Sequence, residues 1–238
     1  MKTYVERETC AVLVGATGDF GTAITKRLLE AGLGVIAVAR STNSLQALNA
    51  AHPGVKPCAA DISSDAAIAA IASAIDKPVR MLVHGPGVAV AGGILTGPTE
   101  SMVDAVNIKV GGLLRLVRAT DAHLATGERI VAIGGHYGLE PTAYAAAAGV
   151  ANAAILNVVR QLSMAYGPRG ITAHTIVPGP ADTDRLGGQP ATRPRGRCDD
   201  RLQPHARCRP PARTAVTRAE CAPARRSASR TSPGPRNK

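Results

Sequence analysis

Short apolar runs alternate along this chain with Ala-rich stretches of helical spacing, and the alternation narrows the possible folds sharply. The apolar runs fit buried strands at Cys10–Gly15, Val35–Ala39, Val55–Ala60, Met81–His84, Arg129–Ile133 and Ile171–Val177. The helical stretches are Gly21–Ala31, Ser44–Ala51, Asp65–Ile75, Ser101–His123 and Thr142–Tyr166. Strands that alternate with helices indicate βαβ units and a parallel sheet covered on both faces. The sequence therefore predicts an α/β fold, a doubly wound parallel sheet of about six strands in a single domain.

The charge of the chain is distributed unevenly, which bears on its domain organisation. Residues 1–184 carry 14 basic and 14 acidic side chains, whereas residues 185–238 carry 14 basic and 3 acidic ones, so the whole net charge of +11 lies in the C-terminal segment. That segment is rich in Arg and Pro, and its only large aliphatic residues are Leu186, Leu202 and Val216, so it cannot bury enough apolar surface to order itself. We predict a folded domain over residues 1–186 and a disordered basic tail over residues 187–238.

Three origins of the predicted tail remain open. It could bind nucleic acid, although it has no aromatic residue for base stacking. It could be a linker, or it could be an out-of-frame reading of a GC-rich gene, which the abrupt change in composition favours. The chain has no apolar run long enough to span a membrane, no signal peptide and no metal-type cysteine spacing. We expect a cytoplasmic protein without a metal site or a membrane partner.

The first predicted strand runs into a glycine-rich turn that opens a helix. Glycines at such a turn let the backbone approach a pyrophosphate, and the helix N-terminus supplies free N–H groups and a positive dipole end. This context favours a dinucleotide site over an ordinary glycine-rich turn. The residues that we expect to contact the cofactor here are Gly15, Thr17, Gly18, Asp19, Phe20 and Gly21.

The residues after the second and third strands indicate which dinucleotide binds. Arg40 and Ser41 stand where an acidic residue would otherwise bind the adenosine ribose diol. A guanidinium suits a 2′-phosphate in charge and geometry, which favours NADP over NAD. Asp61, followed by Ile62, comes after the third strand, where a carboxylate can accept a hydrogen bond from the adenine amino group.

Several motifs in this order give the chain its resemblance to a known family. They are the glycine loop, Asp61-Ile62, His84-Gly85-Pro86-Gly87, Asn107 within the fourth helical stretch, and the Pro178-Gly179 segment that ends at Thr183. Over about residues 10–186 the chain resembles the short-chain dehydrogenase/reductase family. The resemblance implies a Rossmann-type sheet, cofactor contacts from Gly85, Pro178, Gly179 and Thr183, and a homo-oligomer that forms through the two long helices.

The resemblance also implies a catalytic set, which this chain matches only in part. The family uses a tyrosine as acid or base, a lysine four residues later, a serine about a dozen residues before the tyrosine, and a helix asparagine. Counting four residues from Tyr144 puts Ala148 at the lysine position. The end of the fifth strand, Ile133-Gly134-Gly135-His136, puts Gly135 at the serine position, and Asn107 matches the asparagine. The stretch from Gly135 to Tyr144 is about four residues shorter than usual.

Two further polar residues near this set come into question. His136 directly follows the serine position and could take over a catalytic role, with Tyr137 beside it. Lys109 lies two residues after Asn107, which on an α-helix turns it about 200° away, so we expect it to lie outside the site.

The sequence therefore predicts an oxidoreductase that transfers hydride between NADP(H) and a small carbonyl or alcohol substrate. One alternative is a cofactor-binding pseudoenzyme, because the serine and lysine positions are Gly135 and Ala148. The other alternative is a nucleic-acid-binding protein that acts through the basic tail.

Overall fold

The computed structural model describes residues 8–179, which form one parallel sheet with helices on both faces. The strands are β1 (Cys10–Val14), β2 (Gly34–Ala39), β3 (Val55–Ala59), β4 (Val79–His84), β5 (Arg129–Ile133) and β6 (Thr172–Ile176). The helices are α1 (Asp19–Glu30), α2 (Thr42–Ala51), α3 (Ala66–Ala74), α4 (Thr99–Val106), α5 (Gly112–Thr120) and α6 (Ala146–Tyr166). The predicted tail, residues 187–238, lies outside the described residues.

The strand order in the sheet is β3-β2-β1-β4-β5-β6, and every pairing is parallel. The chain winds outward from β1 to β3 and then crosses back to place β4 on the other side of β1. This reversal is the switch point at which open α/β sheets bind ligands, beyond the carboxyl ends of the strands. The predicted doubly wound sheet of six strands is confirmed.

Each central strand is buried on both faces, which explains why the strands read as continuous apolar runs. Successive side chains point to opposite faces, so Val12 and Val14 of β1 pack in one core and Ala11 and Leu13 in the other. One core contains residues of α3, α5 and α6, and the second contains residues of α1 and α2.

The long helix expected at Ser101–His123 is interrupted. A π-helical turn at Asn107–Gly111 separates α4 from α5, and a 3-10 turn at Asp121–His123 follows α5. A π-turn inserts an extra residue and so changes which side chains face the neighbouring elements; such turns are frequent at functional sites. The last helix also starts at Ala146 rather than at Thr142, so Tyr144 precedes it.

Candidate functional site

A cleft of about 910 Å³ opens at the carboxyl ends of β1, β2, β4 and β5. It brings together the predicted site residues that the structure describes, with one exception, Asn107. Those lining the cleft are Gly15, Thr17, Gly18, Asp19, Phe20, Gly21, Arg40, Ser41, Asp61, Ile62, Gly85, His136, Tyr144, Pro178 and Gly179. Thr183 lies outside the described residues.

The glycine loop follows β1 and is packed too tightly for side chains at two of its three glycines. Gly15 has φ +84°, and a Cβ there would lie 2.9 Å from the carbonyl carbon of Gly85. A Cβ at Gly21 would overlap the carbonyl oxygen of Gly15 and lie 2.6 Å from the carbonyl carbon of Ala16. Gly18 has open space and forms the N-cap of α1. The loop therefore presents bare backbone and the free N–H groups of a helix start, which suit a phosphate.

One charge in this loop is of the wrong sign for a phosphate. Asp19 is the first residue of α1 and lines the cleft. Its side chain is exposed, so water screens its repulsion of an anion. The exposed Arg40, at the end of β2, carries the opposite charge at the neighbouring part of the cleft.

The polar groups after β2 and β3 are preorganised by short local hydrogen bonds. The Ser41 hydroxyl caps α2 by accepting from the Ser44 N–H at 3.2 Å. One carboxylate oxygen of Asp61 accepts from the N–H and the hydroxyl of Ser63, at 3.0 and 2.7 Å. These bonds from Ser63, together with the charge of Arg40, hold the pKa of Asp61 below its usual value, so it stays ionised at neutral pH.

Asn107 does not face the cleft, contrary to its predicted place in the catalytic set. Its amide N–H donates to the Ser63 carbonyl at 3.0 Å, and its amide oxygen accepts from the Arg115 guanidinium at 2.9 Å. Arg115 continues to the Ile62 carbonyl at 3.1 Å and to the Asp65 carboxylate at 2.6 Å. The hydrogen bonds of the Asn107 side chain thus connect the start of the π-turn to the loop after β3.

Lys109 lies in the cleft wall, although the sequence predicted that it would lie outside the site. The two side chains do point apart, but Lys109 is the one of the pair that faces the cleft. Its side chain is buried, and its ammonium donates to the Ile133 carbonyl at the end of β5 at 2.7 Å. Burial lowers the pKa of Lys109 to about 8.

His84, at the end of β4, is fully buried next to Lys109. Its Nε2 lies 3.1 Å from the Ile108 carbonyl, so the proton must be on Nε2 for this contact to be a hydrogen bond. Burial, and then the charge of Lys109, lower the pKa of His84 to about 3, so the ring is neutral at physiological pH. Its Nδ1 is buried without a hydrogen-bond partner among residues 8–179.

The helix α6 turns Ala148 and Asn152 into the cleft opposite Gly135. A Cβ on Gly135 would lie 2.6 Å from the Asn152 amide nitrogen, so the asparagine side chain fills the space beside this glycine. Ala148 lies 13 residues after Gly135, close to the dozen that the family has between its serine and its tyrosine, and Asn152 lies four residues further on. On this count Ala148 stands at the tyrosine position and Asn152 at the lysine position, and the stretch after Gly135 is not shortened.

Three aromatic rings stand together between β5 and α6. The Tyr137 and Tyr144 hydroxyls are 2.9 Å apart, and their rings meet edge to face at 5.8 Å between centroids. The His136 ring packs on Tyr137 at 4.0 Å. The hydrogen bond with Tyr144, followed by burial, raises the pKa of Tyr137 to about 12. Tyr144 itself is 58% exposed, so this group lies towards the outer part of the cleft.

The segment after β6 closes the site beside this aromatic group. The Pro178 carbonyl accepts from the backbone N–H of His136 at 3.2 Å, and Pro178 and Gly179 line the cleft. Among the residues that the structure describes, no three His, Cys, Asp or Glu side chains are grouped to hold a metal ion, and no helix is long and apolar enough to span a membrane.

Sequence reasoning missed Ser63, Lys109 and Asn152 as cleft residues. For Asn152 a signal existed, because it is reached by counting forward from the serine position at Gly135 and not by counting from Tyr144. For Lys109 the missing information was the π-turn, which does not show in the apolar pattern. Ser63 could have been inferred from its place two residues after Asp61, as the usual partner in an Asx-turn.

The sheet order and the glycine loop at its switch point define a doubly wound α/β protein of the dinucleotide-binding class. A family model described as enoyl-(acyl carrier protein) reductase matches residues 15–225. The short-chain reductase protein NovJ of Streptomyces niveus is 30% identical over 205 residues, which cover 77% of this chain and 76% of that protein. This chain belongs to the short-chain dehydrogenase/reductase family of oxidoreductases.

Solved structures agree with this assignment. A blue fluorescent protein from a metagenomic library, in complex with NADPH, has a TM-score of 0.70 at 28% identity and covers 77% of this chain and 79% of its own. A 3-ketoacyl-(acyl-carrier-protein) reductase from Brucella melitensis, complexed with NADH, also has a TM-score of 0.70, at 21% identity, over 76% of this chain and 79% of its own. The second likeness shows the fold alone.

Proposed function

We propose that this protein is an NADP-dependent oxidoreductase that interconverts a small carbonyl compound and its alcohol. The observation that carries the proposal is the cleft itself, where a loop with no room for side chains at Gly15 and Gly21, a helix N-terminus and an exposed arginine follow one another along the switch point. Similarity to a protein solved with NADPH supports the same cofactor class.

The residues present fit a dinucleotide. The backbone of the Gly15–Gly21 loop would hold the pyrophosphate, Asp61 and Ile62 the adenine end, and Gly85, Pro178 and Gly179 the nicotinamide end. When bound, the cofactor supplies the hydride for reduction or accepts it in oxidation. The exposed Val103 and Val150, on α4 and α6, support a homo-oligomer that forms through these helices.

Arg40 is the residue that we expect to select NADP over NAD, because its guanidinium can pair with a 2′-phosphate. We expect Arg40→Ala to weaken NADPH binding by about 10- to 100-fold, in line with the loss of a charge-assisted hydrogen bond. NADH binding should change by less than about threefold, since that cofactor lacks the phosphate. Titration of both cofactors by fluorescence or calorimetry measures the two affinities.

Arg27→Ala is the matched control for this variant. Arg27 is exposed on α1, where it pairs with Glu30 at 3.1 Å, and it does not line the cleft. Its removal should leave both affinities unchanged. A wild-type protein that binds neither cofactor would overturn the proposed function, and equal losses of NADPH and NADH affinity in the Arg40 variant would overturn the NADP preference.

The second candidate function is cofactor binding without turnover. It is favoured by Gly135 and Ala148, which bring no acid or base to the cleft. A panel of aldehydes, ketones and secondary alcohols, assayed by cofactor absorbance, separates the two functions. Turnover that falls in Tyr144→Phe supports an enzyme that acts through this tyrosine, whereas cofactor binding with no turnover of any panel compound supports the pseudoenzyme.

A further inference from the structure

Lys109 is the only buried ionisable side chain among the described residues that line the cleft. Its ammonium carries three N–H groups, and the hydrogen-bond acceptor that the structure gives it is the Ile133 carbonyl at 2.7 Å. A charged amine that is 4% exposed and bound to one neutral carbonyl is poorly compensated. A polar group that entered the cleft would therefore find a donor here.

Gly135, Ala148 and Asn152 line the cleft together with Lys109, and we call this part of it the floor. Besides Lys109, the floor offers one polar side chain but no acid or base. Gly135 and Ala148 contribute backbone and a methyl group. The Asn152 side chain is 6% exposed and faces the cleft, and its amide oxygen has no hydrogen-bond partner in the part of the chain that the structure describes. A ligand that reached this floor would meet an amine that can give a proton and an amide that can only orient it.

The other titratable groups are less suited to transfer a proton to a ligand at the floor. The Tyr137 and Tyr144 hydroxyls bond each other at 2.9 Å, and the pKa of Tyr137 is raised to about 12. His84 is fully buried and does not line the cleft, and it stays neutral because burial lowers its pKa to about 3. His136 packs against Tyr137 on the loop after β5.

We propose that Lys109 gives the proton to the substrate oxygen when a carbonyl is reduced and takes it back when the alcohol is oxidised. This inference rests on the proposed function. When the carbonyl carbon accepts a hydride, its C=O π electron pair moves to the oxygen, which forms an O–H bond with a proton from Nζ. The neutral amine then regains a proton from water. Oxidation reverses each of these steps.

Burial of Lys109 gives it a pKa of about 8, close to the value that an acid or base needs to work near neutral pH. Burial is the cause of the shift, and the amine is mostly protonated at pH 7 and mostly neutral above pH 9. The helices that pack against the π-turn carry Glu100 and Asp104 on α4, Arg115 and Arg118 on α5, and Arg160 and Tyr166 on α6. His84 ends β4, and the loop between β5 and α6 carries His136, Tyr137, Glu140 and Tyr144.

A labelling experiment without cofactor tests whether Lys109 meets carbonyl compounds in the cleft. The probe is 4-nitrobenzaldehyde with sodium cyanoborohydride. A neutral amine adds to the aldehyde carbon, water leaves, and the borohydride reduces the resulting imine to a secondary amine. Peptide mass spectrometry then compares Lys109 with Lys56, a half-exposed lysine on β3 outside the cleft.

We expect Lys109 to react at least about tenfold faster than Lys56 at pH 7.5, because burial lowers the pKa of Lys109 to about 8 and leaves a sizeable fraction of its amine neutral. Its rate should rise through pH 8, and NADPH should slow it. Modification of Lys109 no faster than that of Lys56 would overturn the assignment.

Kinetics supply the second readout. With NADPH and the carbonyl panel, Lys109→Met should lose about 10²- to 10⁴-fold in kcat while the Kd for NADPH changes by less than about threefold. The rate of carbonyl reduction by the wild type should fall above about pH 8. The rate of Lys109→Arg should be low and independent of pH. Lys56→Met is the control that keeps wild-type rates.

The outcomes separate this inference from the proposed function. Failure of the wild type to bind NADPH or NADP overturns the proposed function. Bound NADPH with full turnover in Lys109→Met overturns the role of Lys109 alone. Bound NADPH with no turnover of any carbonyl in the wild type also overturns that role and favours the pseudoenzyme.

Discussion

Gly135 and Asn152 form a complementary pair at the scale of single residues. The asparagine amide occupies the space that a side chain on residue 135 would need, with 2.6 Å between the amide nitrogen and a Cβ placed there. Asn152 is itself almost fully buried, so it has little room to rotate away. The glycine at residue 135 and the asparagine at residue 152 are therefore sterically coupled.

The coupling predicts that a serine at residue 135 lowers the stability of the protein when Asn152 is kept. We expect Gly135→Ser to lower the free energy of unfolding by about 1 to 3 kcal/mol, the usual cost of overpacking. In Gly135→Ser/Asn152→Ala the clash is absent, so the effects of the two changes should deviate from additivity by about 1 to 2 kcal/mol. Urea denaturation of the wild type, both single variants and the double variant measures this interaction free energy.

Gly167→Ser is the control for these variants, because a Cβ there has nothing within 4 Å. It should change the free energy of unfolding by less than about 0.5 kcal/mol. Additive effects of the two cleft substitutions would contradict the steric coupling of residues 135 and 152.

The positions of the catalytic set could not be predicted from single residues alone. The sequence made Tyr144 the reference point because it is the visible tyrosine, and this moved the expected lysine position to Ala148. The structure puts Tyr144 before the start of α6 and more than half exposed, while Ala148 and Asn152 face the cleft. Which residues of a helix face a site depends on where the helix docks, and an Ala-rich segment gives no periodic signal for that.

At the scale of elements, the π-turn at Asn107–Gly111 determines which residue faces the cleft. The pattern of apolar residues predicted one continuous helix here, and the strands and other helices were found close to their predicted bounds. Alternating apolar runs identify elements reliably because burial of both sheet faces demands them. A single inserted residue in a helix does not show in the apolar pattern. The pattern therefore could not predict which of Asn107 and Lys109 faces the cleft.

The position of Asn107 predicts a structural role that can be separated from a catalytic one. Asn107→Ala removes hydrogen bonds to the Ser63 carbonyl and from Arg115, at 3.0 and 2.9 Å. We expect it to lower the free energy of unfolding by about 1 to 3 kcal/mol, since it leaves partly buried polar groups unpaired. The pH profile of turnover should keep its wild-type shape. Denaturation curves and pH-rate profiles provide the two measurements.

Asn157→Ala is the matched control, because Asn157 is exposed on α6 and its amide oxygen accepts one hydrogen bond, from Gln161. Its free energy of unfolding should change by less than about 0.5 kcal/mol. The opposite result for Asn107→Ala, unchanged stability with turnover abolished, would return Asn107 to the catalytic set.

At the scale of the whole molecule, the buried charge of Lys109 makes stability depend on pH. Its pKa is lowered from 10.5 to about 8 in the folded state. Between these values the unfolded chain binds more protons at this residue than the folded one, so the free energy of unfolding rises with pH. Below pH 8 both states carry the charge, and the folded state bears the full cost of burying it.

Replacement of this lysine should therefore stabilise the protein most at neutral pH. We expect Lys109→Met to raise the free energy of unfolding at pH 7 by about 1 to 3 kcal/mol, given about 1.4 kcal/mol for each pKa unit and a partial offset from the lost bond to Ile133. The gain should shrink above pH 8 and become small near pH 10.5, where the folded state is neutral and the unfolded state is half protonated.

The difference between variant and wild type is the quantity to measure, because other groups also titrate in this range. The pKa of Cys10 is raised to about 11 and that of Tyr166 to about 12, so the folded state loses stability as the unfolded chain ionises at these residues. These losses are common to both proteins and cancel in the difference. Chemical denaturation at half-unit steps from pH 6.5 to 10.5 gives the curve, and a difference that is constant with pH would show that Lys109 keeps an ordinary pKa.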